Sequence, residues 1–462
     1  MKKIRQEIND FINRGMDSHL KLAVTGLSRA GKTAFISSLV NQMLHSSTAD
    51  NLPLFHVSRD RRLIGAKRVP QQNLMVPRFG YDESMEALFS QPPGWPVPTR
   101  DVSEIRLAIK FRPEKGAKKL ISDSSTLYLD IIDYPGEWLL DLPLLDLTFE
   151  QWCETQFESM KGKRKQLAEQ WMQLEQQQDL MAAADEKQIE QVSQAYTQYL
   201  HSCKDAGLHW VQPGRFVLPG DLDGAPVLQF YPVQLKGREK QLEKAAKDSN
   251  FHMLKSRYRE YQNSVVKRFY KEHFSTFDRQ IVLVDCLQPL NAGQESFYDM
   301  RDALEQILKS FKYGRSSMLK RLFAPRIDKI LFAATKADHI TPDQHSHQVS
   351  LLQQLIHPSW QHAAYENIDM ECISIASIKA TSNGFVSDGE QNIPAIQGIT
   401  LSGEPMTLFP GEVPKKLPKA EFWQNNRFDF NSFLPLESEP ENPLAHIRLD
   451  KAIQYLIGDK LK

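Results

Sequence analysis

The octapeptide Gly26-Leu27-Ser28-Arg29-Ala30-Gly31-Lys32-Thr33 constrains this chain more than any other feature. It satisfies the pattern G-x-x-x-x-G-K-[ST] at every position. The apolar run Leu22-Ala23-Val24 precedes it, and Phe35, Ile36, Leu39, Val40 and Met43 follow at helical spacing. Strand, glycine loop and helix in that order set backbone N–H groups at a helix N-terminus. The glycines let the loop curl so that successive N–H groups point at phosphate oxygens, and the helix dipole favours the anion. Lys32 reaches the outer phosphates of a nucleotide, and Thr33 offers a hydroxyl to Mg²⁺. The expected contacts are Gly26, Ser28, Arg29, Ala30, Gly31, Lys32, Thr33 and Ala34.

Two further motifs follow apolar runs. Asp133-Tyr134-Pro135-Gly136 closes the run at 127–132, and Thr335-Lys336-Ala337-Asp338 closes the run at 329–334. A carboxylate at the end of the first run lies beside the phosphate loop and supports Mg²⁺, through a water. Gly136 leaves room for its N–H to approach the outermost phosphate. A third loop, Ile375-Ala376-Ser377-Ile378-Lys379-Ala380, follows the apolar run at 372–376.

The order of phosphate loop, D-x-P-G and T-K-x-D resembles the Ras-like (translation-factor-class) GTPases. The resemblance implies a P-loop NTPase fold of the Ras-like G-domain kind, and Mg²⁺-dependent hydrolysis of GTP to GDP and phosphate. It implies that Asp338 accepts from two donors of guanine while the Lys336 stem packs along the base. Thr335 stands where the family has Asn, with a hydroxyl able to bond across to the phosphate loop. Ser377 and Ile378 match the weak loop that backs the base. Thr99, ahead of the run at 104–111, is the expected switch threonine on the metal, with Ser103 as runner-up. Arg100 is placed to act as an arginine finger in cis, and Glu137 stands where a Gln often orients the attacking water. The implied catalytic set is Lys32, Glu137 and Arg100, and the implied metal set is Thr33, Thr99 and Asp133.

The T-G-L-S-R-A-G-K-T loop, the D-Y-P-G-E-W turn and a long helical insertion together look like the bacterial YcjX-type P-loop proteins, a stress-associated group. That resemblance implies a companion inner-membrane protein of the YcjF type and a cytoplasmic chain, peripheral at that membrane. The family is labelled as nucleotide-binding ATPase or GTPase. Three other readings stand beside a GTPase: an ATPase that couples hydrolysis to protein remodelling, a kinase-type phosphoryl-transfer enzyme, and a scaffold that binds nucleotide with little hydrolysis.

At 462 residues the chain suggests about three domains, or one with large insertions. Apolar spacing at Ile4, Ile8, Phe11 and Ile12 predicts an amphipathic helix over 1–20. The nucleotide domain is expected over 21–140 and 281–380. Prolines at 53, 70, 77, 92, 93, 96 and 98 make 51–100 a long loop holding one helix at 82–89. No Gly or Pro occurs from 163 to 206, where Leu167, Trp171 and Leu174, then Ile189, Val192, Tyr196 and Tyr199, recur at helical spacing. Residues 141–280 are therefore predicted as a helical insertion. Its basic stretch from Lys236 to Lys271 reads as a solvated helix face, with an anionic partner or a membrane surface as the rival. Alternating strands and helices return over 281–380, which predicts an α/β fold with a mostly parallel sheet. An irregular segment and a closing amphipathic helix at 444–461 are expected over 381–462.

Lys plus Arg and Asp plus Glu are both 57, so no chain-wide electrostatic footprint for nucleic acid exists and no specific nucleic acid partner is expected. No apolar run approaches a membrane span, and the charged start lacks the apolar core of a secretory signal. The cysteines at 153, 203, 286 and 372 form no close pair, which argues against a zinc site or a disulfide framework and for a reducing compartment.

Overall fold

The computed structural model describes residues 18–47, 50–98, 100–114, 123–310, 327–365, 368–387, 389, 391–425 and 428–462. The chain divides into two units. One spans Met1–Tyr134, Phe277–Asn291 and Arg326–Lys462; the other spans Pro135–Thr276 and Ala292–Pro325.

In the first unit, strands β1 (Ser18–Gly26), β2 (Leu63–Val69), β3 (Ser103–Phe111), β4 (Ser125–Asp133), β5 (Arg279–Val284), β6 (Lys329–Ala334) and β7 (Asp369–Ser374) form one sheet. Its order is β2-β3-β4-β1-β5-β6-β7. β1 pairs in parallel with β4 and β5, and β6 and β7 continue in parallel. β2 and β3 run antiparallel at one edge. This is the mostly parallel α/β sheet that the alternating pattern predicts. Central strands covered on both faces lose their apolar alternation, and Leu22, Ala23 and Val24 of β1 are all fully buried. Helix α1 (Lys32–His45) buries Phe35, Ile36, Leu39, Val40 and Met43 in the same core.

Register brings the functional edge together. Val24 lies opposite Asp133, Gly26 opposite Leu283, Val284 opposite Ala334, and Ala334 opposite Ser374. The carboxyl ends of β1, β4, β5, β6 and β7 therefore share one side of the sheet, where open α/β sheets bind their ligands.

Several sequence expectations change. Residues 51–100 contain strand β2 as well as the helix, found at Tyr81–Leu88. β2 carries Gly65, Lys67 and Arg68 and has no apolar alternation, so its pairing to β3, with a register shift at Leu63/Gly65, makes it a strand. The region 381–440 is not wholly irregular. β8 (Thr381–Ser387), β9 (Asn392–Ile399) and β10 (Pro405–Leu408) form a separate antiparallel sheet ordered β10-β9-β8. A small core of Ala380, Ile396 and Phe433 supports it. The closing helix starts later than expected, at Leu449, and runs to Ile457 before a 3-10 turn at Gly458–Leu461. Residues 1–17 of the expected N-terminal helix lie outside the described residues, and Ser18, His19 and Leu20 belong to β1.

The second unit is helical. The stretch without Gly or Pro, with Gly162 just ahead of it, makes Gly162–Leu167, Glu169–Gln176 and Glu186–Asp205. Asp185 caps the last by accepting from the N–H groups of Lys187 and Gln188. Its core is aromatic: Trp152 stacks on Tyr258 at 5.3 Å, and Trp171 packs on Tyr196 at 4.9 Å. In the basic stretch, Lys255 pairs with Glu150, Arg257 with Glu186 and Arg268 with Glu272. Helix Gln294–Ser310 belongs here, although sequence order places it with the nucleotide domain. It buries Phe297, Met300, Ala303, Leu304 and Ile307, and a buried pair joins it to the unit: Arg164 Nε donates to Asp299 Oδ1 at 3.1 Å, while Asp299 Oδ2 accepts from the N–H of Trp210 at 2.9 Å.

In the first unit Arg279, 1% exposed, ties β5 to the closing helix. Its guanidinium contacts Asp328, Asp459 and the Leu456 carbonyl. Burial works against the Asp459 carboxylate, but Arg279 and Lys329 outweigh it and hold its pKa at about 2. That stabilisation is present above the ordinary carboxyl value of 3.8 and is lost as pH falls toward 2. Replacing Arg279 by Gln takes the guanidinium from Asp328 and leaves Asp459 with Lys329 alone, 3.5 Å away. Because Asp328 is half exposed and Asp459 one-third exposed, the pair is screened and falls short of a fully buried one. Urea unfolding at pH 7 is expected to show a loss of about 1–2 kcal/mol, shrinking as the titration is repeated toward pH 2.

Candidate nucleotide site

The phosphate loop leaves the sheet at Gly26. A Cβ there would lie 2.6 Å from the Leu283 carbonyl oxygen and 2.9 Å from the Leu283 Cβ, so only glycine fits against β5. The loop then turns with Arg29 at φ 62° and Gly31 at φ 84°, both left-handed. Gly31 is the N-cap of α1, with no side chain capping the helix and no acid in its first turn. An uncapped N-terminus without local anions suits a bound anion. Leu27 and Ala30 are buried and anchor the loop, whose Ala30 N–H donates to the Leu27 carbonyl at 3.1 Å. Ser28, Lys32, Thr33 and Ala34 are half-buried, and Arg29 is exposed.

Asp133 ends β4 beside this loop, 1% exposed. Ser103, the first residue of β3, lies directly opposite it across the antiparallel pair. The Thr33 hydroxyl and the Asp133 carboxylate are hard oxygen donors on neighbouring elements, which is the donor chemistry of Mg²⁺. These residues fit the metal. Thr99 lies outside the described residues, and Arg100 is exposed.

The T-K-x-D loop follows β6. Thr335 is buried, but its hydroxyl donates to the Val284 carbonyl at 3.4 Å and not across to the phosphate loop. Parallel pairing with β5 puts that carbonyl within reach, and the Thr335 N–H uses it as well, at 3.0 Å. Lys336 takes a left-handed conformation, φ 60°. Its Nζ stands 2.6 Å from Asp285 Oδ2. Asp285, just past β5, accepts through Oδ1 from the N–H groups of Leu287 at 3.0 Å and Gln288 at 3.2 Å. Burial disfavours its charge, but the Lys336 ammonium and these amides hold its pKa below the ordinary carboxyl value.

Asp338 is 5% exposed. Its Oδ2 accepts from the Ala380 N–H at 2.6 Å, and its carbonyl accepts from the Thr381 hydroxyl. Gln348 braces the loop from behind, donating to the Thr335 carbonyl at 2.8 Å and accepting from the Ser374 hydroxyl at 2.5 Å. Ser377 and Ile378 are buried after β7, and the Ser38 hydroxyl of α1 donates to the Ser377 carbonyl at 2.6 Å. One edge of the sheet thus carries the phosphate loop, Asp133, Thr335 to Asp338, Ser377 and Ile378.

Gly136 and Glu137 belong to the second unit, where they open a 3-10 helix, Gly136–Asp146. Glu137 is 5% exposed and pairs with Lys204 Nζ at 2.7 Å. Sequence reasoning singles out neither Lys204 nor Asp285. Lys204 is one cation among many on a helix. Asp285 carries a faint signal, an acid ending the buried run Ile281-Val282-Leu283-Val284, as Asp133 ends its own strand.

Comparison with known proteins agrees with this architecture. The model of the YcjX-like family, DUF463, matches residues 20–461. A protein of Escherichia coli (strain K12) named "Ras-like GTPase YcjX" is 51% identical over 466 residues, covering 100% of both chains. A protein of the same name from Shewanella oneidensis is 47% identical over 478 residues, covering 100% of this chain and 99% of its own. The motifs, the sheet and these full-length matches together place the chain in the YcjX-like family.

Proposed function

We propose that the protein is a GTPase, binding GTP with Mg²⁺ and converting GTP and water to GDP and phosphate. The observation that carries this reading is the placement of two loops. The phosphate loop leaves β1 and the T-K-x-D loop leaves β6, on either side of β5 and at the same end of the sheet. Two strand spacings, about 10 Å, suit the distance between the phosphates and the base of one nucleotide. The name carried by both relatives points the same way.

In this reading the loop N–H groups and Lys32 stabilise the charge that grows on the phosphates. Thr33 and Asp133 would hold Mg²⁺, which would neutralise charge on the phosphate oxygens when bound; Thr99, outside the described residues, is the further donor that the resemblance implies. Asp338 selects guanine, whose ring N–H and exocyclic amine are both donors that adenine does not present together. Its Oδ2 is already fixed by the Ala380 N–H, so the carboxylate is oriented before the base arrives. Glu137 is engaged by Lys204. A carboxylate held by a lysine is a poor acceptor for a water proton, so we expect slow hydrolysis by the isolated chain, which suits a switch more than a high-turnover enzyme.

Lys32→Ala is expected to weaken GDP binding at least about tenfold, the scale of a lost charge-assisted contact, with an unchanged circular dichroism spectrum. GTP turnover at the wild-type rate in that variant would remove Lys32 from the site.

Asp338→Asn keeps an acceptor for the Ala380 N–H but sets an amine against the guanine amine. Titration with GDP and XDP is expected to show loss of GDP affinity on the order of 10²-fold or more and a gain for XDP. Equal GDP affinity in wild type and variant, or ADP binding tighter than GDP in wild type, would favour an ATPase.

A further inference from the structure

We infer that Asp285 is a positioning residue for base recognition, pinning the Lys336 side chain before nucleotide binds; the inference rests on the guanine-nucleotide reading above. The two oxygens of this carboxylate have separate tasks. Oδ1 caps the short helix Leu287–Ala292 by accepting from Leu287 and Gln288 N–H groups. Oδ2 meets Lys336 Nζ at 2.6 Å. Capping alone needs one neutral oxygen, which Ser, Thr or Asn supplies. A carboxylate 5% exposed in that place carries a desolvation cost that a cap does not require. The lysine accounts for the charge.

Position supports the same assignment. β5 lies between β1, which feeds the phosphate loop, and β6, which feeds the base loop. Asp285 follows Val284, whose carbonyl takes both the N–H and the hydroxyl of Thr335. The residue beside Thr335 is therefore held by β5 at its backbone side and by Asp285 at its side-chain end. Lys336 is left-handed at φ 60° and its side chain is 26% exposed, so one part is fixed while the rest faces outward. A free lysine stem is among the most rotamer-rich side chains, and ordering it during binding weakens a complex. Pinned by Asp285, the stem is already extended when a base arrives.

The test uses the purified full chain with Mg²⁺ and compares GDP, ADP and inorganic triphosphate by calorimetric titration. Asp285→Asn retains the capping oxygen and removes the charge facing Lys336. GDP affinity is expected to fall about tenfold, the scale of ordering one long side chain, while triphosphate affinity stays unchanged. Lys336→Met should lose GDP affinity similarly, and adding Asp285→Asn to Lys336→Met should cost nothing further, since the acid acts through the lysine. Asp285→Ser, which also keeps a capping oxygen, should reproduce the Asn result if the Asn variant melts early. Wild-type GDP affinity in both variants, equal losses for GDP and triphosphate, or a full extra loss in the Lys336→Met background would overturn the positioning role. Tighter ADP than GDP binding by wild type, with the same Asp285 and Lys336 coupling, would sink the guanine reading and support the positioning role.

Discussion

The close approach of Gly26 to the Leu283 carbonyl is the constraint on which the site depends. With 2.6 Å between that oxygen and any Cβ at position 26, the last residue of β1 has to be glycine for β5 to pair beside it. That pairing makes β1 a central strand, with β4 on its other side. The chain then turns through Arg29 and Gly31 into α1, whose N-terminus is left without a side-chain cap. A bulkier residue at position 26 would separate β1 from β5 and, with it, the phosphate loop from everything that follows β5 and β6.

The base loop is held differently. No single close contact fixes it. Asp285 meets Lys336, Gln348 joins Thr335 to Ser374, and the Ala380 N–H and Thr381 hydroxyl hold Asp338. These partners come from the residue after β5, from the helix His345–Tyr365, from the end of β7 and from Ala380 and the first residue of β8. Each satisfies a buried polar group that would otherwise be costly, and together they leave the loop little freedom. The phosphate loop is a contiguous peptide solution, whereas the base loop is a tertiary one.

That difference explains what could be read from the sequence. Gly26 to Thr33 are legible because their chemistry depends on neighbours along the chain. The parallel sheet is legible for a similar reason, since buried runs such as 281–284 and 329–334 alternate with helical spacing. β2 is hidden because Gly65, Lys67 and Arg68 give it no pattern, and only β3 makes it a strand. β8 to β10 are hidden because their residues are mostly exposed and their support comes from Phe433. Helix Gln294–Ser310 is visible as a helix, but its unit depends on contacts distant in sequence, such as that of Arg164 with Asp299, 135 residues apart. Asp285 gains meaning only once β5 is known to lie between β1 and β6.

The pairing of β1 with β5 also bears on how the chain acquires its structure. The Lys21 N–H donates to Asp278 at 2.8 Å across 257 residues of sequence. Everything from Pro135 to Thr276 is made between the two strands. Contacts so distant in sequence form late, because the loop they close is long. During synthesis β1 carries an unpaired edge on the side β5 will occupy, and such edges invite wrong pairing. The helical unit, by contrast, has most of its chain in one continuous stretch and its aromatic core within it. Early folding of that unit would bring Lys21 and Asp278 closer than an unfolded insertion allows, shortening the effective loop and easing completion of the sheet.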